Sequence, residues 1–318
     1  MGGSLGKFPS SFSKKLQELG IDESHIQVFA HQGFMSEVFF VKNEENEFII
    51  HKIFLTPEHR KRNYTNLIQI LSNYFSITKT PLAPSYLYKK QEWDFLFTLQ
   101  KFIPGTPWGT RSLKEGKIYD EFFIKNRENY YSELLRFLAT IHQAPVEGSG
   151  AICGFQNNCL MGEERNWKDF LKKNSKEWLQ KVEIPEMFHA NIQNLINSIP
   201  DTLKLSLVHG DCINPSNILT KNESIVSVID WEWSLIGDPA WEFADIWWEN
   251  MIERYGLYVY FQKRGILSTK EQNDFLERVK KYRILWLLWG TALHARDKDK
   301  ELFLLLRSLL FSRIQTLT

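Results

Sequence analysis

The feature that most constrains this chain is a change of hydrophobic rhythm at Ile103-Pro104-Gly105-Thr106-Pro107. Upstream, short β-branched and aromatic runs separated by polar turns, Ile26–Phe29, Val38–Val41 and Phe48–Ile53, predict strands. Two further strand-like runs lie near Ser85–Lys89 and Asp94–Phe102. One helical stripe, Leu67, Ile68, Ile70, Leu71 and Phe75 within Pro57–Phe75, interrupts them. Downstream the spacing turns helical: Tyr130–His142, Trp167–Leu179, Met187–Ile199 and most of 241–317. A strand-rich segment followed by a helix-rich one predicts an α+β chain of two lobes. Residues 7–103 form an antiparallel-sheet lobe and 104–318 a mainly helical lobe, with the Pro-Gly turn as hinge and a ligand cleft expected between them.

Composition removes several classes of function. Lys plus Arg number 39 against 38 Asp plus Glu, a formal charge of +1, so no general field for nucleic acid exists. Three cysteines, Cys153, Cys159 and Cys212, fit neither a disulfide framework nor a paired metal motif, and reduced cytoplasmic thiols are expected. The opening MGGSLGKFPSS has no apolar core, is not a secretory signal, and is set outside the predicted fold. The longest apolar run, Ile284–Trp289, is far short of the roughly 20 residues of a membrane span. No membrane association and no obligate protein partner is expected.

Chemistry concentrates at Leu207-Val208-His209-Gly210-Asp211-Cys212-Ile213-Asn214-Pro215-Ser216-Asn217-Ile218-Leu219 and at Val228-Ile229-Asp230-Trp231-Glu232. Phosphoryl transfer to a hydroxyl needs a carboxylate to receive the proton, a metal held by an amide oxygen and a carboxylate, and a cation on the phosphates. Two short hydrophobic runs, each delivering an acidic residue at or just past its end, supply the first two. Asp211 is expected as the base and Asp230 as the principal Mg²⁺ ligand, since Mg²⁺ prefers oxygen ligands and retains several waters.

HGDCINPSNIL together with VIDWEWSLIGDPAWEFA resembles the aminoglycoside phosphotransferase and choline kinase-like family, small-molecule kinases that share the protein-kinase fold. The Gly-containing turn, a strand with Lys52, the Phe102–Gly105 hinge and the Leu138–His142 helix fall in family order. The resemblance implies a Mg²⁺-dependent transfer from ATP or GTP to a small hydroxylated acceptor, a cationic aminoglycoside-like molecule among the candidates. It also implies that the turn from Gly33 to Ser36 covers the phosphates with backbone N–H groups. The base would meet hinge backbone near Gln100 and Phe102, and His209 would be scaffold.

Three departures from the family pattern bear on the site. The kinase Asn follows the Asp by five positions, where Ser216 stands here; Asn217 comes one later and Asn214 is the alternative. Asn217 is favoured, because Ile218-Leu219 resumes a strand directly after it. On the strand, His51 and Lys52 compete and alternation sets them on opposite faces; Lys52, charged at pH 7, is assigned to the phosphates. The following helix offers Lys52 only Glu58 at its start, with Gln69 or Asn66 as neutral substitutes or a partner elsewhere.

Behind Asp230, residues 231–253 hold Trp231, Trp233, Trp241, Trp247 and Trp248 with Glu232, Asp238, Glu242, Asp245, Glu249 and Glu253, and no Lys or Arg. Such a surface suits a polycation or quaternary amine. The same residues also suit a core with a solvated acidic face. Two other functions stay open: a nucleotide-binding module without catalysis, motivated by the shifted Asn and missing helix Glu, and a protein kinase. The latter lacks an Ala-Pro-Glu segment and has Trp231-Glu232 where Phe-Gly would stand.

Overall fold

The computed structural model describes residues 8–28, 36–55, 64–80, 83–92, 94–114, 117–122, 127–222, 224–295 and 300–316, without the side chains of 36, 111–114, 117–122, 247 and 300. The chain divides into two compact units, residues 1–104 and 105–318.

In the first unit, β1 (Gln27–Val28), β2 (Ser36–Lys42), β3 (Glu47–Phe54), β4 (Tyr86–Glu92) and β5 (Phe95–Lys101) form an antiparallel sheet. Its strand order is β1-β2-β3-β5-β4. Helix α1 (Ser10–Glu18) covers one face. Phe12 and Leu16, one turn apart, pack with Phe8 against Phe39, Val41, Phe48, Ile50, Phe97 and Leu99. The N-terminal segment set outside the fold is therefore partly core: Phe8 is buried and Ser10 opens the helix, because the apolar face of this sheet needs a cover. Helix α2 (Tyr64–Thr78) meets the opposite face, where Lys89 Nζ donates to the Thr65 carbonyl and the Thr65 hydroxyl to Gln91.

Among the described residues the second unit carries three small sheets. Strand β6 (Thr106–Pro107) pairs with β13 (Ile218–Lys221), which pairs with β14 (Ser224–Val228). A hairpin joins β7 (Gly109–Lys114) to β8 (Lys117–Phe122). The third sheet contains β9 (Val146–Glu147), β10 (Ser149–Gln156), β11 (Cys159–Glu164), β12 (Ser206–Val208) and β15 (Leu235–Gly237). Strands β7 to β11 were not legible: Gly148, Gly150, Gly154 and Gly162 break the β-branched rhythm of the longest hairpin. The helices are α3 (Arg127–Ile141), α4 (Trp167–Val182), α5 (Met187–Asn197), α6 (Ile246–Tyr255), α7 (Tyr258–Arg264), α8 (Thr269–His294) and α9 (Lys300–Gln315).

Helix α8 is the axis of this unit. A capping box of Ser268 and Glu271 starts it, and Ile284 to Leu288, the apolar run noted in the sequence, is buried within it. It packs against α4, α9 and the 3-10 turn Pro239–Ala244. No helix among the described residues is long and apolar enough to cross a membrane. An antiparallel sheet unit followed by a helical unit is the α+β, protein-kinase-like arrangement expected from the sequence.

Candidate active site

Strand β12 ends at Val208 and the chain enters the loop His209–Asn217. His209 is buried, with Nε2 at 3.1 Å from the Ile229 carbonyl and Nδ1 accepting the Asp211 N–H at 3.3 Å. That pattern fixes a neutral ring protonated on Nε2, and burial pulls its pKa down to about 4. Position 210 must be glycine: its φ is +87° and a Cβ would lie 2.7 Å from the Trp233 carbonyl oxygen.

Asp211 is partly exposed, and its Oδ2 accepts Asn217 Nδ2 at 2.9 Å; the same Nδ2 reaches the Asp211 carbonyl at 3.0 Å. Asn214 behaves differently. Its Oδ1 caps the 3-10 turn Pro215–Asn217, accepting from the Ser216 N–H and hydroxyl, while its Nδ2 stands 3.5 Å from Asp211. The two asparagines therefore separate into a turn cap and a partner of Asp211.

Asn217 also joins the loop to the second acidic residue, because its carbonyl accepts the Ile229 N–H at 2.8 Å. Asp230 follows at φ +67° and ψ +62°, a left-handed conformation that Asp tolerates better than most side chains and that bends the chain into the 3-10 turn Trp231–Trp233. Desolvation and the like charges of Glu232 and Asp211 all push its pKa well up. The Asp230 side chain keeps solvent access, so the like charges are the larger cause. The Asp211 charge acts on Asp230, so the two carboxylates lie within reach of each other's field, and carboxylate oxygens are the hard donors that Mg²⁺ prefers.

In the first unit, strand register decides which face each β3 side chain takes. Lys52 lies on the α1 face: its Nζ stands 4.7 Å from the centroid of the Phe95 ring and pairs with Glu37 Oε2 at 2.7 Å. Glu37, directly opposite on β2, is the partner missing from the helix; Gln69 bonds Asn73 instead. His51 lies on the α2 face, in register with Thr98 and Lys89, and its Nε2 is 2.9 Å from Gln100 Nε2. The structure thus does not bring Lys52 to the side of the helix that follows β3. The Phe102 N–H donates to the Glu47 carbonyl and the Lys101 N–H to the Ser85 carbonyl. Gly33 lies outside the described residues, as does Glu58; Ser36 begins β2 opposite Ile53.

The sequence profile of the phosphotransferase enzyme family matches residues 26–266, which span both units and both acidic residues. The chain belongs to this family. An aminoglycoside phosphotransferase APH(4)-Ia variant, solved with AMP-PNP and hygromycin B, superposes with a TM-score of 0.63 at 15% identity, over 97% of this chain and 99% of that one. The GDP complex of aminoglycoside 2'-phosphotransferase-IIIa gives 0.60 at 13% identity, over 96% of each chain. Macrolide 2'-phosphotransferase MphH from Brachybacterium faecium gives 0.55 at 15%, again over 96% of each. At such identities these likenesses establish a common fold. No curated protein sequence gives a significant match. The protein is a small-molecule phosphotransferase.

The acidic, Trp-rich stretch of this phosphotransferase is mostly interior. Trp231, Trp241 and Trp248 are buried; the Trp231 ring lies tilted against His209, centroids 4.4 Å apart, and its indole N–H donates to the Val228 carbonyl. Trp233 is half-buried against Trp289, and the Trp247 side chain is outside the described set. Asp238 accepts from Arg278, Tyr282 and the Ala240 N–H, and Glu249 pairs with Arg283 and Arg313. Of the two readings of this stretch, core with a solvated acidic face describes most of it: Glu232 and Glu253 keep solvent access, whereas Asp238, Glu242 and Asp245 are buried.

Glu242 is the residue whose role sequence reading missed. Its carboxylate accepts the His209 N–H at 2.7 Å, the Gly210 N–H at 3.2 Å and the Cys212 thiol at 3.1 Å. Burial opposes its charge, but the His142 ring at 3.7 Å, His209 and the Cys212 thiol outweigh that and hold its pKa below the usual value. Burial and Glu242 push the Cys212 thiol well up, so it packs and donates rather than attacks. The only sequence signal for Glu242 was its place in an apolar run, Ala240-Trp241-Glu242-Phe243-Ala244, where a carboxylate needs a buried partner.

Proposed function

We propose that this phosphotransferase moves the γ-phosphoryl group of ATP or GTP to a hydroxyl of a small molecule, with Asp211 as base and Asn217 and Asp230 as the Mg²⁺ ligands. The observation that carries the reading is the double role of Asn217. Its side chain aims Asp211 and its carbonyl is bonded to the residue before Asp230, so one residue sets the spacing of base and metal site.

Asp211 would accept the proton of the acceptor hydroxyl as that oxygen bonds to phosphorus and the bond to the nucleoside diphosphate breaks. The bond from Asn217 Nδ2 fixes the orientation of the Asp211 carboxylate. The Asn217 Nδ2 is spent on Asp211, which leaves its Oδ1 as the ligating atom. Bound Mg²⁺ would neutralise charge on the β- and γ-phosphate oxygens. The rest of the rate comes from positioning, which Glu242 and His209 supply by fixing the loop backbone. The setting is a reduced, cytoplasmic one, a reading supported by three free cysteines.

The test is a turnover screen with Mg-ATP and Mg-GTP against aminoglycosides, macrolides, amino alcohols, sugars and nucleosides, read by mass spectrometry for one added phosphate. Product that disappears in Asp211→Asn supports the reading. Stoichiometric nucleotide binding with no product across the panel would favour the non-catalytic module.

A further inference from the structure

We infer that Gln100, pinned by His51, reads the nucleobase and selects a 6-amino purine, so that this enzyme uses ATP in preference to GTP. The inference rests on the nucleotide dependence proposed above and names which nucleotide.

The first observation is the face. In a kinase arrangement the β3 cation reaches both the phosphates and the helix after β3, so the nucleotide lies on the helix side of the sheet. Here that side is the α2 face. Register puts Ile49, His51, Thr98 and Gln100 there and sends Lys52 to the α1 face, into its pair with Glu37. The second is position: Gln100 is the last-but-one residue of β5, just ahead of the Phe102–Gly105 turn where the base is expected. With the Phe102 N–H donating to Glu47, the Gln100 side chain is a hydrogen-bonding group on the α2 face at this strand end.

The third is an orphan acceptor. Gln100 Nε2 is a donor in every state, so the bond to His51 makes the ring Nε2 an acceptor and the ring neutral. Burial, which draws the His51 pKa down to about 4, keeps it so at pH 7. The Gln100 Oε1 is buried without a hydrogen-bond partner among the described residues. An unpaired buried acceptor is costly, and a ligand that brings a donor relieves the cost. Adenine presents N6–H₂, a donor; guanine presents O6, a second acceptor facing the first. The pair therefore favours adenine and rejects guanine, and His51 acts as a positioning residue that prevents the amide from turning over.

Calorimetric titration of the full chain with ADP and GDP, each with Mg²⁺, tests this. ADP is expected to bind about tenfold or more tightly than GDP, as befits one buried acceptor matched or opposed. Gln100→Leu should bring the two affinities within about twofold. His51→Leu, which frees the amide to rotate, should narrow the ratio while leaving ADP binding measurable, and thermal melts confirm that both variants fold. GDP binding as tight as ADP, or a ratio unchanged in both variants, overturns the inference and leaves the phosphotransferase reading standing. Binding of neither nucleotide overturns both.

Discussion

The loop after β12 and the middle of β3 both carry polar residues from recognisable motifs, but they are held in opposite ways. In the loop, His209, Gly210, Cys212 and Asn217 are each bonded to a buried or backbone partner, with Glu242 accepting from three of them. On β3, Lys52 is tied to the half-exposed Glu37 and His51 to a single amide. Buried groups must be satisfied, so the loop has one arrangement; a strand residue merely takes the face that alternation assigns it. Rigidity at the loop and choice of face at the strand are thus separate devices within one enzyme.

The comparison breaks most sharply at the base. Asp211→Asn keeps the bond to Asn217 but removes the proton acceptor, so turnover should fall by about 10³-fold or more with nucleotide affinity nearly unchanged. Retained turnover would remove Asp211 from that role. Asp230→Ala should abolish the Mg²⁺-dependent part of nucleotide binding, and wild-type affinity would count against the metal assignment.

Next comes the buttress. Glu242→Ala leaves two backbone N–H groups and a thiol without an acceptor and should cost about 3 kcal/mol in chemical denaturation, with a matching loss of kcat. A stable, active variant would show that the loop holds itself.

Acid should act on both regions. Burial holds His209 and His51 at about 4, below the ordinary value of 6.5, so the unfolded chain binds the extra protons. Stability is fully present above pH 6.5 and falls progressively from there to about pH 4. Melts across that range check it, and a flat profile in wild type contradicts neutral buried rings.

The smallest effect belongs to the Lys52–Glu37 pair. Glu37→Gln should change stability by less than about 1 kcal/mol, as for other exposed pairs. Lys52→Met should leave ADP affinity within about threefold. A large loss of affinity would restore Lys52 to the phosphates.

Much of this was legible in the residues. The strand runs of the first hundred positions, helices α3 to α5, and the HGD and VID motifs follow from local patterning, because side-chain periodicity is set by backbone geometry. Helix α1 starts in a segment that the sequence reading set outside the fold, and the glycine-rich β10–β11 hairpin has only Ile152 as a β-branched residue to announce it. For the Trp-rich stretch surface and core both stayed open in the sequence, which reports proximity along the chain and not which side faces α8.

What the sequence determined by itself is the class of chemistry: two carboxylates and an asparagine at the ends of two short hydrophobic runs, in an order that only a few reactions require. What tertiary structure decided is partnership. Glu37 rather than a helix residue holds Lys52, Glu242 from 31 positions beyond Asp211 anchors the loop, and His51 rather than Lys52 shares a face with Gln100. These are contacts between distant segments, fixed when buried charges and donors find their complements, and no local rule specifies them.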